Sequence, residues 1–118
     1  SLAILTLLEG SVENSELPYY QALNHYKMNE PDFAIQKFLD VKDSNNETLG
    51  PLSAMYAGLL LRKQKKYQEA KDNFQFILDK SKDPKLDNIA EKNLEETIRL
   101  EMYEEDQKKK WSITLFSG

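Results

Sequence analysis

Apolar residues recur at helical spacing in five blocks along the chain, and polar segments rich in turn formers separate them. The stretch "KKYQEAKDNFQFIL" (65–78) shows the pattern: Tyr67, Ala70, Phe74, Ile77 and Leu78 fall on one face of a helix that ends near Lys80. Upstream, "GSVENS" (10–15) reads as a loop, with Ser15 as N-cap of a helix from Glu16 to about Met28. "NEPD" (29–32) is a turn in which Asn29 is the expected N-cap, and Pro31 falls in the first turn of a second helix reaching about Lys42. "DSNNETLGP" (43–51) is the next loop, and Pro51 is expected to open a third helix that reaches Lys63. After the fourth helix, "SKDP" (81–84) offers Asp83 as N-cap and Pro84 at the first helical position, where proline's missing amide hydrogen costs nothing. The fifth helix is expected to run to about Lys109, with Leu86, Ala90, Leu94, Ile98 and Met102 as an apolar stripe and the charges outside.

Two short apolar ends flank these helices, "SLAILTLL" (1–8) and the β-prone "WSITLFSG" (111–118). The first is far shorter than the roughly 20 residues of a membrane span. It is expected to pack on the domain as a short helix or strand, with the remnant of a signal or anchor segment as the lesser reading. The chain thus divides into an apolar segment with its loop (1–15), a helical domain (16–110) and an apolar tail (111–118).

A shift of 36 residues lays Tyr20 on Tyr56, Leu23 on Leu59, Lys27 on Lys63, Ala34 on Ala70, Phe38 on Phe74 and Asp43 on Asp79. Ala22 meets Gly58 and Val41 meets Ile77, exchanges that keep size or apolarity. Each unit is a helix pair with a small residue midway along each helix. Antiparallel helices approach closely only where such a residue sits at the crossing, and a large one such as Phe38 or Phe74 fills the space beside it. A further shift puts Glu95 under Leu59 and Asp106 under Ala70, so the period is not expected to continue.

A helix pair of this length, with Gly58 in its first helix and "YQEAKDNF" carrying Tyr67, Ala70 and Phe74 in its second, resembles the tetratricopeptide repeat. The first unit departs from that pattern: Ala22 replaces the usual glycine and Pro31 stands where the aromatic would be. The fold implied is all-α: two tetratricopeptide-like antiparallel helical hairpins plus a long C-terminal capping helix, a fragment of an α-solenoid. Another all-α bundle is the competing architecture.

Composition narrows the chemistry. Four Gly and four Pro in 118 residues suit a helical chain better than a loop-rich all-β one. A net charge of −4 provides no general attraction for nucleic acid, and none is expected as a partner. The absence of Cys excludes disulfides, thiolate metal ligands and cysteine nucleophiles, while leaving the compartment open between a cytoplasm and a bacterial periplasm or cell envelope. Richness in Lys and Asn is associated with AT-rich bacterial coding sequences. His25 is the only histidine and has no nucleophile pattern near it, so a structural role is expected and no enzymatic one. Glu95, Glu96, Glu101, Glu104, Glu105 and Asp106 alternate with Lys92, Arg99 and Lys108, the signature of a solvated helix face and not of a metal site. No glycine-rich phosphate loop or metal-binding histidine spacing occurs, and no cofactor is expected. "RKQKK" (62–66) and "KKKW" (108–111) read as basic helix ends that complement the helix dipole; a membrane-surface contact at the second is the lesser reading. Asn46, Glu47 and Thr48 match a glycosylation acceptor at a length where chance matches are common.

The resemblance implies binding. In that family the first helices of successive units line a concave groove that receives a peptide or a helix of another protein. Carried over, the groove comprises Tyr19, Leu23, Tyr26 and Lys27 from the first unit, and Leu52, Met55, Leu59, Arg62 and Lys63 from the second. Tyr19 and Leu23 stand where carboxylate-clamping members present Lys and Asn, so capture of a chain terminus of that kind is not expected. The expected function is therefore a non-enzymatic protein-interaction scaffold. The alternative is an assembly element that forms a homodimer through its apolar termini, since two units are fewer than the three a free-standing stack usually needs.

Overall fold

The structure is a computed structural model that describes residues 16–117, with side chains through Ser112. Five α-helices follow one another: α1 (Glu16–Lys27), α2 (Pro31–Lys42), α3 (Leu49–Lys63), α4 (Tyr67–Lys80) and α5 (Pro84–Ser117). There is no strand among the described residues. The apolar segment 1–8 and the loop 10–15 lie outside them.

Helices α1 with α2 and α3 with α4 form two antiparallel hairpins, and α5 packs on α4. Each helix touches its successor, and alternate helices α1, α3 and α5 also meet, whereas α2 and α4 do not. This puts α3 at the centre of the domain.

The 36-residue register survives in three dimensions. Ala22 and Gly58, Ala34 and Ala70, Phe38 and Phe74, and Val41 and Ile77 are all buried. The turns within the hairpins match atom for atom. After α1, Asn29 takes a left-handed φ of 58°, its amide donates to the Tyr26 carbonyl at 3.1 Å, and the Glu30 amide donates to His25 at 2.9 Å. After α3, Lys65 has φ 65°, its amide donates to Arg62 at 2.9 Å, and the Lys66 amide donates to Leu61 at 2.9 Å. These paired bonds form a Schellman motif, which closes a helix by satisfying its last carbonyls. Asn29 is thus the residue that ends α1; Glu30 holds the N-cap place of α2, with no side-chain cap.

Two other helix starts follow local polar chemistry. Asp83 caps α5 as its residue type predicts, accepting the Lys85 amide at 3.0 Å through Oδ1. Helix α3 opens two residues before Pro51, because Asn46 Oδ1 accepts the amides of Thr48 (3.0 Å) and Leu49 (2.7 Å) and so organises the turn upstream. Asn46 therefore has a structural task in the loop where the glycosylation match falls.

Helix α5 departs most from the sequence reading. It runs through 111–117 without a break and spans 34 residues, about 51 Å at 1.5 Å per residue, so the β-prone tail continues a helix. The four-residue stripe does not stay inward. A spacing of four overshoots the 3.6-residue turn by about 40° at each step, about 160° between Leu86 and Met102. Leu86, Ala90 and Leu94 face the core, but Ile98 is 39% exposed and Met102 59%. Thr97, Glu101 and Glu104 take over the inner side. Ala90 and Thr97 stand 36 residues after Ala54 and Leu61 and share their burial. The register is not sustained beyond these two positions, because Ile89 and Glu91, 36 residues after the buried Ser53 and Met55, are exposed.

Candidate functional site

Helix α3 lies between α1 and α5, and the residues expected to line the groove divide three ways around it. Tyr19 and Met55 belong to the core, 8% and 6% exposed, and do not line an open groove. Tyr19 packs edge-on against Phe38 at 6.2 Å and Tyr56 at 6.5 Å, joining α1, α2 and α3 in one aromatic cluster. Burial, reinforced by the neighbouring Tyr56, pushes its phenol up to about 12. The reason for the misplacement is geometric. The first helix of a unit packs against its own second helix and against the neighbouring first helices, and Tyr19 and Met55, 36 residues apart, occupy the shared inner edge.

Leu23, Leu52 and Arg62 form a second group, half-buried and occupied by the fold itself. Leu23 and Leu52 pack on the core. The Arg62 guanidinium donates to Asn93 Oδ1 at 3.0 Å and stands over the Phe74 ring at 5.9 Å, tying α3 to α5 and α4. Arg62 thus leaves the basic "RKQKK" surface.

The third group meets in a cleft. Tyr26, Leu59 and Lys63 line a concavity of about 490 Å³ between the C-terminal ends of α1 and α3, together with Asn29, Pro31, Leu60 and Gln64. Lys27 stands exposed at the end of α1 nearby. The floor is apolar, from Leu59, Leu60, Pro31 and the Tyr26 ring; the rim carries the Lys63 ammonium and two amides. Gln64 donates to Asp32 Oδ1 at 2.9 Å, which pins the rim to α2. Neither Lys27 nor Lys63 forms an ion pair with another described residue. Asn29, Pro31, Leu60 and Gln64 escaped the sequence reading, since a turn and an i+1 neighbour carry no groove signal until the hairpins are stacked.

The chemistry-bearing side chains have other partners. His25 Nδ1 lies 3.3 Å from Glu30 Oε1 and its ring stacks on Phe33 at 5.4 Å, so it braces the first turn. The acidic face of α5 is only partly a solvated one. Lys71 of α4 donates to Glu101 at 2.6 Å. A hydrogen bond from Tyr67, with Lys65 at 3.4 Å as a further contributor, holds the Glu104 carboxyl below its usual value, and the same bond raises the Tyr67 phenol. These residues fasten the lower half of α5 to α4, where no apolar stripe remains to do so. Among the described residues no three His, Cys, Asp or Glu side chains gather as a metal site, and no helix is long and apolar enough to cross a membrane.

No protein-family model, curated protein or solved structure matches this chain.

Proposed function

We propose that this protein is a non-enzymatic interaction scaffold of the tetratricopeptide type, and that the cleft between α1 and α3 holds an extended peptide or a helix of another protein. The cleft itself carries the proposal: an apolar floor of Leu59, Leu60 and Tyr26 beside an uncommitted Lys63, in a fold that occupies its other candidate groups elsewhere. Aromatic and aliphatic anchors in a concavity supply most of the energy of such contacts, and rim charges select the partner. Lys27 and Lys63 favour a segment that places a carboxylate next to an apolar side chain. The repeated Schellman turns and the 36-residue burial register support the family reading.

Selection from a displayed peptide library tests it. Sequences enriched on the wild-type protein should join apolar to acidic residues, and should bind a Tyr26→Ala/Lys63→Glu variant at least tenfold more weakly, about 1.4 kcal/mol or more. Equal binding to both proteins, or no enrichment, would sink the groove reading. A second reading is favoured by Tyr103 and Trp111, which are 62% and 68% exposed on the free length of α5. These are large apolar surfaces that a second copy could bury, and a homodimer that persists on dilution in light scattering would favour assembly instead.

A further inference from the structure

Helix α5 outlasts the domain that supports it. Its side chains engage α4 as far as Glu104, which accepts a hydrogen bond from Tyr67 and lies 3.4 Å from the Lys65 ammonium. From Glu105 to Ser112 every residue except the half-buried Gln107 is exposed. This length of helix reads "YEEDQKKKW" (103–111) and is antisymmetric about Gln107. Tyr103 and Trp111 stand four residues to either side of the centre, and the three acidic residues 104–106 mirror the three lysines 108–110. Within one helix the acids and lysines also fall four residues apart, a spacing that helps an isolated helix to persist. That accounts for the charges but not for an aromatic ring at each end, 62% and 68% exposed. Nor do Glu105, Asp106, Lys108 and Lys109 form any ion pair with one another.

A second copy running in the opposite direction accounts for both features. At about 100° per residue, Tyr103 and Trp111 lie about 40° to either side of Gln107, and Glu104 and Lys110 about 60°, so one face carries all five. We propose that two copies of this chain pair through α5, antiparallel and two-fold symmetric about Gln107, each Tyr103 against the partner's Trp111. The same operation sets the acidic block of each helix level with the lysine block of the other. A parallel pair would instead align acid with acid and lysine with lysine, so the charges select the direction. Two-fold symmetry makes each contact twice. Exposed ion pairs contribute little and aromatic pairs more, so the rings hold the pair that the charges orient. Each copy's α4 engages α5 on the N-terminal side of Gln107, which places the two domains toward opposite ends of the pair. The inference rests on the second-copy reading of Tyr103 and Trp111; no residue lining the cleft between α1 and α3 belongs to α5.

The chain has no cysteine and one tryptophan, which makes the test clean. Full-length Tyr103→Cys and Trp111→Cys chains, carrying tags of different mass, are mixed in equal amounts and oxidised. A mixed antiparallel pair keeps one Tyr103–Trp111 contact and sets its two thiols opposite each other. The mixed disulfide should therefore exceed the two like-with-like disulfides together by about tenfold. Like-with-like products in excess, or a statistical mixture, would overturn the antiparallel arrangement; if the wild type is still a dimer in light scattering, the second-copy reading stands without it. A wild-type monomer across the whole concentration range would overturn both. Trp111 supplies a readout free of cysteine. Its emission should move to shorter wavelength as the wild type is concentrated into the dimer, and a dimer that leaves the emission unchanged would equally overturn the aromatic contact.

Discussion

At the scale of the residue, the two hairpins solve one packing problem with different side chains. Where α3 crosses α4, a Cβ on Gly58 would lie 2.7 Å from Phe74 Cε1 and 2.8 Å from Cζ. The Phe74 ring is fully buried and has no room to retreat. In the first hairpin the equivalent residues, Ala22 and Phe38, are both fully buried, so a methyl group is accommodated at that position. A Gly58→Ala substitution would gain about 1 kcal/mol of helix propensity. Overpacking of a filled core costs about 1–3 kcal/mol, so steric conflict wins. The expected outcome is a net loss of about 1 kcal/mol in chemical denaturation, recovered when Phe74→Leu opens space beside the new methyl. A stability gain from Gly58→Ala alone would show that the ring moves freely. The small residue at this crossing was legible in the sequence, because a close approach leaves a periodic mark; which hairpin approaches more closely was not.

At the scale of the element, helix ends and helix faces behaved differently. The turns were placed by their breakers, yet their internal roles changed. Asn29 ends one helix instead of starting the next, because asparagine tolerates the left-handed conformation a Schellman turn requires. Lys65 adopts the same conformation without that tolerance, at a cost of about 1–2 kcal/mol for a residue with a Cβ. Its ion pair with Glu104 is 72% exposed on the lysine side and offsets little of this. Lys65→Gly should therefore stabilise the protein by about 0.5–1 kcal/mol, raising the midpoint of thermal unfolding by a few degrees, with Lys65→Asn a smaller shift in the same direction. A lower midpoint for both variants would show that the lysine side chain contributes more than its backbone strain costs. Helix α5 teaches the complementary lesson. Its four-residue spacing looked like one stripe, but only the first three members reach the core. Beyond Leu94 the inner side is made of Thr97, Glu101 and Glu104, and the pattern had set both glutamates among the solvent-facing charges. Hydropathy cannot tell a carboxylate bound for a Lys71 or a Tyr67 on a neighbouring helix from one bound for water.

At the scale of the whole molecule, the aromatic cluster of Tyr19, Phe38 and Tyr56 couples the hairpins, since it takes one ring from each of α1, α2 and α3. Tyr19 gives that coupling a pH signature. Its phenol is held near 12 in the folded protein against an ordinary value of 10.0, so the folded state retains a proton that the unfolded chain gives up earlier. The contribution is fully present below pH 10, and it is lost as pH rises through about 12. The loss is bounded at about 2–3 kcal/mol, because one pKa unit corresponds to about 1.4 kcal/mol. Stability measured by urea denaturation should fall across this window in the wild type and fall markedly less in Tyr19→Phe. Parallel decline in the two proteins would place the alkaline sensitivity elsewhere.

The sequence by itself determined the number and order of the helices, the hairpin pairing and the repeated core positions. These depend on local propensity and on the 3.6-residue period, both written along the chain. The tertiary structure alone decided which lining residues face outward. Tyr19, Met55, Tyr26 and Lys63 all belong to first helices of hairpins, yet the first two are buried in the core and the last two open onto the cleft. Their difference arises from the angle at which neighbouring helices meet, which no single helix encodes. The same holds for α5, whose inner face is set by the side chains α4 presents to it.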